Sequence, residues 1–165
     1  MEHHPGRTLK TIERGMQVVD TIKKENGMTI DDLVCELDMP KSTIHGYVST
    51  FEKLGYLVRE EEEFQVGLRF LNLASHAQSR KPEYAIAKTA VEQLGERTDA
   101  EIDFDIEENG RIINLFNVLG STKRRSVDVN LYFYMHTTAT GKAVLASWSD
   151  ERVEQVIERW GLPQV

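Results

Sequence analysis

Pro40 sets the tightest constraint on this chain. It stands between two short stretches with apolar residues at helical spacing, Leu33, Val34 and Leu37 before it and Ile44, Val48 and Phe51 after it. Proline lacks the amide hydrogen and forces the preceding residue out of the α region, so Asp38-Met39-Pro40 breaks the helix. Two helices must therefore meet at a turn of a few residues. Upstream, Thr29 followed by Asp32 resembles a capping box, with Asp in place of the usual Glu or Gln. Downstream, Gly55 offers a left-handed helix stop, and Tyr56-Leu57-Val58 and Phe64-Gln65-Val66 are β-prone runs around Arg59 to Glu63. From Thr29 to Gly67 the predicted order is helix, turn, helix and hairpin, that of a winged helix-turn-helix.

The second of these helices starts near Lys41 or Ser42, where Ser42 can cap the first turn. Ile44, Val48 and Phe51 share one face with Tyr47 on its edge, and the opposite face carries Ser42, His45, Gly46, Ser49, Thr50 and Lys53. Glycine in a helix costs roughly 1 kcal/mol relative to alanine. Gly46 at the centre of the outward face fits either a close approach of DNA or simple tolerance in a supported helix. The hairpin tip, Glu60 to Glu63, would repel phosphates, so a solvated or partner-facing tip is expected. A preceding helix is read from Ile12, Met16, Val19 and Ile22, with Thr11 as cap and Asn26-Gly27 as stop. Arg7, Lys10 and Arg14 flank its start, either as solvated charge or as an arm contacting phosphates.

Charge argues for a local DNA surface. Residues 1–70 hold 9 basic and 13 acidic side chains and residues 71–165 hold 11 and 14, giving −4 and −3 of the total −7. A uniformly acidic chain lacks the broad basic footprint of a nucleic-acid binder. The cations must cluster, and the acids must turn away. The one cysteine, Cys35, excludes an internal disulfide and a cysteine-based zinc site, and its place between Val34 and Leu37 reads as a small buried hydrophobe. No apolar run approaches the roughly 18 residues of a membrane span, and the N-terminus has no signal-peptide core, so a cytoplasmic location and no membrane partner are expected.

The second half opens with a helix from Glu83 to Arg97, its apolar stripe formed by Ile86, Ala90, Val91 and Leu94. Ile102, Phe104 and Ile106 then alternate with Glu101, Asp103 and Asp105, the period of a half-buried strand with a solvated acidic face. Asn109-Gly110 is a hairpin turn, Ile112 to Val118 the return strand, and Ser126 to Val129 a third strand. Gly141-Lys142 lacks the first glycine and the Ser/Thr of a phosphate-binding loop, which removes nucleotide hydrolysis. A last helix begins near Ser149-Asp150, carries Val153, Val156, Ile157 and Trp160 on one face, and stops at Gly161. No catalytic constellation, metal cluster or cofactor motif is found; the chain is read as a non-enzyme with no cofactor.

These residues carry a resemblance. The first helix, the turn into Met39-Pro40-Lys41-Ser42-Thr43-Ile44-His45, the exit Leu54-Gly55-Tyr56-Leu57 and the strand Phe64-Gln65-Val66-Gly67 together resemble the DNA-binding domain of IclR-type transcriptional regulators. The chain departs from that family at Gly46, where a basic residue is common. His136 to Ala146 resembles the signature of the family's GAF-like effector-binding domain. The resemblance implies an α+β chain with a winged helix-turn-helix over 1–67, a linker helix over 68–81 and the front part of an effector domain over 82–165. It implies a homodimer or dimer of dimers on double-stranded DNA, with Ser42, Thr43, His45, Ser49 and Lys53 presented to the major groove beside Arg7, Lys10, Arg14, Lys41 and Gly46. It also implies a small organic-acid effector at the helix N-terminus formed by Ala139, Thr140 and Gly141, where free amides attract carboxylates. His136 is expected to be structural. The linker helix, with Leu68, Leu71, Leu73, Ala74 and Ala77, either joins dimers or packs on its own domain. Family members continue further, so a regulator that binds DNA or protein without sensing a ligand is the alternative.

Overall fold

The computed structural model describes residues 8–98, 100–118 and 132–164. The chain divides into two compact units, residues 1–77 and 78–165.

In the first unit, α1 (Lys10–Glu25) is followed by α2 (Ile30–Leu37) and α3 (Lys41–Lys53). The N-cap of α1 is Leu9, whose carbonyl accepts from the amides of Ile12 and Glu13, so Thr11 lies inside the helix and does not cap it. The buried face of α1 is Gly15, Val18, Val19 and Ile22; of the predicted stripe, Ile12 is 63% and Met16 41% exposed. Gly15 explains the rotation. A Cβ there would lie 3.2 Å from Cε2 of Phe51, so its absence lets that ring close on the helix and turns Ile12 and Met16 outward.

The capping box forms as expected, with the Asp32 amide donating to Thr29 Oγ1 at 3.2 Å and the Thr29 amide to Asp32 Oδ2 at 3.4 Å. Cys35 is exposed rather than buried. It sits two residues from buried Leu33, about 200° round the helix, and so on the opposite side. Asp38 adopts φ 48° and closes α2. The N-cap of α3 is Pro40, whose carbonyl accepts from the Thr43 and Ile44 amides; Ser42 makes no cap. Ile44 and Val48 are buried, and Gly55 at φ 75° turns the chain into the hairpin.

That hairpin pairs β1 (Leu57–Glu60) with β2 (Glu63–Val66), Leu57 opposite Val66 and Glu60 opposite Glu63. Only Glu61-Glu62 is left as loop. Met28 bridges Phe64, so the loop after α1 adds backbone hydrogen bonds to the wing. Val18, Ile22, Leu33, Ile44, Val48 and Leu57 form the fully buried centre. Each such side chain stabilises the fold by about 1.5–3 kcal/mol relative to exposure. After the wing comes α4 (Arg69–Ser79), whose first turn is tied down by Arg69 donating to the Leu54 carbonyl and by Phe70 against Tyr56, ring centres 4.8 Å apart.

The second unit contains α5 (Pro82–Thr98), β3 (Ile102–Glu108), β4 (Arg111–Val118), β5 (Tyr132–Tyr134), a 3-10 turn at Met135–Thr137, α6 (Ala139–Ala146) and α7 (Asp150–Trp160). The sheet order is β3-β4-β5, antiparallel throughout. The strand expected at Ser126 to Val129 lies outside the described residues. Asn109 at φ 57° and Gly110 at φ 78° make the two-residue turn between β3 and β4. On α5 the buried residues are Tyr84, Val91 and Gly95, whereas Ile86 is 72% and Leu94 44% exposed, against the predicted stripe. Gly95 again sets the rotation: a Cβ there would stand 2.6 Å from Cγ1 of Val118, so the helix meets β4 along its glycine.

One irregularity in the sheet matters for the site. Phe104 pairs with Phe116 but Asp105 with Asn114, leaving Leu115 as an extra residue. Side chains three apart on a regular strand point to opposite faces; the bulge brings Asn114 and Asn117 to the same face, opposite Asp105 and Asp103.

Candidate nucleic-acid interface and effector site

The outward side of α3 is open. A Cβ built on Gly46 would meet nothing within 4 Å, and Ser42, His45 and Lys53 are exposed, with Ser49 and Thr43 half-buried at the flanks. His45 Nδ1 and Ser49 Oγ are 3.2 Å apart along the helix, and Thr50 Oγ1 donates back to the Gly46 carbonyl at 2.7 Å. Lys41, His45 and Ser49 line a groove shared with Arg59 and Glu62 of the wing. Lys10 and Arg14 are exposed one turn apart on α1, a separate element. Arg7 lies outside the described residues.

The cations of this groove are already paired. Lys41 Nζ stands 2.5 Å from Asp31 Oδ1, and Arg59 reaches Glu62 at 3.0 Å and the Glu61 carbonyl at 2.9 Å. Exposed pairs of this kind contribute about 0.2–1 kcal/mol and exchange partners readily. Arg59 carries little sequence signal for DNA contact, because the four glutamates Glu60 to Glu63 follow it directly. Its position in the run Leu57-Val58-Arg59 is the signal that could have found it.

At the other candidate site, Thr138 caps α6, its hydroxyl accepting from the Gly141 amide at 2.9 Å. That amide is thus occupied, and Gly141 is buried where a Cβ would collide with the Met135 backbone. Ala139 is exposed and Thr140 half-buried. Thr140 Oγ1 donates to Asp105 Oδ2 at 2.7 Å. Asn114 Nδ2 donates to Asp105 Oδ1 at 2.8 Å and Asp103 Oδ1 at 3.0 Å, and Asn117 Nδ2 to Asp103 Oδ1 at 2.7 Å and Glu101 Oε1 at 3.0 Å. The acidic face of β3 is exposed at Glu101 and Asp103, as expected, and is also a bonded network that reaches half-buried Asp105, because the bulge supplies two amides on that side. His136 Nε2 lies 3.0 Å from the Pro163 carbonyl, a structural contact. Among the described residues no group of three His, Cys, Asp or Glu is placed to hold a metal ion, and no helix is long and apolar enough to cross a membrane.

Residues 11–61 match the family model of the IclR helix-turn-helix domain. That segment is a helix-turn-helix domain of the IclR type. Over 159 residues it is 27% identical to a probable HTH-type transcriptional regulator, ArcR, of Halobacterium salinarum, covering 92% of this chain and 59% of that protein. Its fold is similar to the crystal structure of an IclR family transcriptional regulator from Brucella abortus, with TM-score 0.73, 18% identity, and 96% of this chain and 62% of that one covered. It is also similar to an IclR homolog from Microbacterium hydrocarbonoxydans crystallised with 4-hydroxybenzoate, with TM-score 0.72, 20% identity, and 90% and 63% covered. The chain spans about three fifths of the length of the curated relatives it matches. In fold the chain pairs a helix-turn-helix unit with a GAF-like α+β unit, as those structures do. Within the IclR helix-turn-helix match fall α2, α3, β1 and nearly all of α1, so the open face around Gly46 belongs to the matched domain.

Proposed function

We propose that this chain regulates transcription by docking α3 in the major groove of operator DNA as a homodimer, with a small-molecule effector held near Ala139 and Thr140. The observation that carries the DNA reading is the unobstructed face of Ser42, His45, Gly46, Ser49 and Lys53 on the second helix of the motif. That helix is the one helix-turn-helix proteins insert in the groove. Lys41 and Arg59 reach phosphates by exchanging carboxylate partners, and Lys10 and Arg14, with Arg7 before them, add contacts from the start of α1.

Support for a homodimer comes from apolar surface. Leu9, Ile12 and Met16 recur at one side of α1 and are 65%, 63% and 41% exposed, and Leu68 and Leu71 at the start of α4 are 80% and 64% exposed. Contiguous apolar patches of this sort mark association surfaces. The effector reading is supported by the similar IclR homolog that carries 4-hydroxybenzoate. Selection of sites from random duplex DNA tests the proposal. A consensus of two half-sites about one helical turn apart is expected; recovery of unselected sequence at every round would overturn it.

A further inference from the structure

Helix α5 carries two apolar faces. Tyr84, Val91 and Gly95 are buried, and Gly95 meets β4 at Val118. At about 100° per residue, Ile86, Ala90 and Leu94 form a second stripe, centred about 120° round the helix from the first. That stripe is uncovered: Ile86 is 72% and Leu94 44% exposed, and Ala90 between them is exposed.

The order of residues along the stripe is symmetric. Ile86 and Leu94 stand about 6 Å on either side of Ala90, at 1.5 Å per residue. Glu83 and Arg97 stand about 10.5 Å on either side, and both lie within about 20° of the line through Ala90. Both are exposed, and among the described residues neither has an ion-pair partner. The other charges of α5, Lys88, Glu92 and Glu96, lie more than about 100° from that line. Alanine at the centre leaves room for a second helix at the roughly 8–10 Å of close helix packing.

A stripe whose halves match in shape and oppose in charge fits itself when turned round. Antiparallel pairing about a twofold axis at Ala90 sets Ile86 of one copy against Leu94 of the other, and Glu83 against Arg97, each contact occurring twice. Parallel pairing would oppose Glu83 to Glu83 and Arg97 to Arg97, and the like charges would repel.

We propose that α5 is a docking surface for a second copy of this chain, paired antiparallel through Ile86, Ala90 and Leu94, with Glu83 and Arg97 fixing the register. It is a different surface from the α1 and α4 residues that support the homodimer reading, and it joins the second units of two copies. Charges at the ends of such a surface set orientation more than affinity.

Cross-linking of the full chain in a Cys35→Ser background, which removes the one native thiol, tests this. With Ala90→Cys the two new thiols meet at the axis, where Cβ atoms can reach the roughly 3.5–4.5 Å that a disulfide needs. Under mild copper-catalysed oxidation a covalent dimer is expected to form at least about tenfold faster than with Lys88→Cys, on the far side of the helix. Adding Glu83→Arg alone or Arg97→Glu alone is expected to slow the reaction, and adding both together to restore it, because opposite charges then face each other again. These positions are exposed, so the substitutions leave the core intact. Equal rates at Ala90 and Lys88, or a chain that stays monomeric, would leave the stripe to another partner and overturn the second copy. Fast cross-linking at Ala90 that neither charge change slows would overturn the antiparallel register. Ile12→Asp with Met16→Asp disables the other surface. The Ala90 cross-link is expected to persist there even where operator binding falls, and its loss would overturn α5 as a surface in its own right.

Discussion

Thr140 Oγ1 and Asp105 Oδ2 lie 2.7 Å apart, a hydrogen bond that ties the first turn of α6 to the middle of β3 across 35 positions of sequence. A bond to an ionised acceptor in a half-buried position contributes about 1.5–3 kcal/mol. Thr140→Val preserves shape and removes the donor, while Asp105 keeps Asn114. A loss of about 1–2 kcal/mol is therefore expected. Both tryptophans, Trp148 and Trp160, lie in the same unit, so urea unfolding followed by their fluorescence reads it directly. An unchanged midpoint would mean that the bond exchanges freely with water.

The corresponding tie in the first unit is local. Thr29→Ala removes the acceptor of the Asp32 amide and leaves Asp32 without its reciprocal partner at the start of α2. Loss of such a cap costs about 1 kcal/mol. Hydrogen exchange should speed up over α2 and α3, which share a core, while amides of β3 and β4 keep their protection. Equal acceleration in both units would contradict this local role.

The contrast between these two bonds explains what could be read from sequence. Thr29 with Asp32, Asp38-Met39-Pro40, and Asn109-Gly110 act within four residues, and the chemistry of each residue decides the backbone locally. The side of α1 that faces inward could not be read so. Ile12 and Met16 are as apolar as Val18 and Ile22; Gly15 decides between them by admitting Phe51, a residue 36 positions later. Gly95 acts in the same way on α5 through Val118. The acidic network of β3 depends on the extra residue Leu115, and period-two counting assumes that no such residue exists. Around α6 the motif itself was visible, but its tie to Asp105 was not, since the partners of Asp105 lie on a neighbouring strand and a distant helix. Polar signals were available: Asn114 and Asn117 interrupt the apolar run of the return strand Ile112 to Val118.

Gly46 separates stability from recognition. A methyl group there meets no neighbour, so Gly46→Ala should stabilise α3 by about 1 kcal/mol through propensity alone. If the same face docks against DNA, the added methyl weakens operator binding even as the fold tightens. Thermal melting and a binding titration on one preparation read both effects. A rise in melting temperature with undiminished operator affinity would show that the Gly46 side of α3 does not approach DNA closely.

Salt dependence tests the paired cations. Each phosphate neutralised by a free lysine or arginine contributes about −0.9 to the slope of log K against log salt. Lys41 is held by Asp31 and Arg59 by Glu62, and each carboxylate released on docking recaptures a cation, which cancels that gain. The native chain should therefore show a shallow slope for its number of basic residues near the groove. Asp31→Asn leaves Lys41 uncompensated, and should steepen the slope by about 0.9 and raise affinity for non-specific DNA at low salt. Lys41→Ala in the Asp31→Asn background should return the slope to its native value. If Asp31→Asn leaves the slope unchanged, Lys41 does not reach the phosphates, and the docking of α3 must be turned so that Lys53 and the start of α1 make those contacts instead.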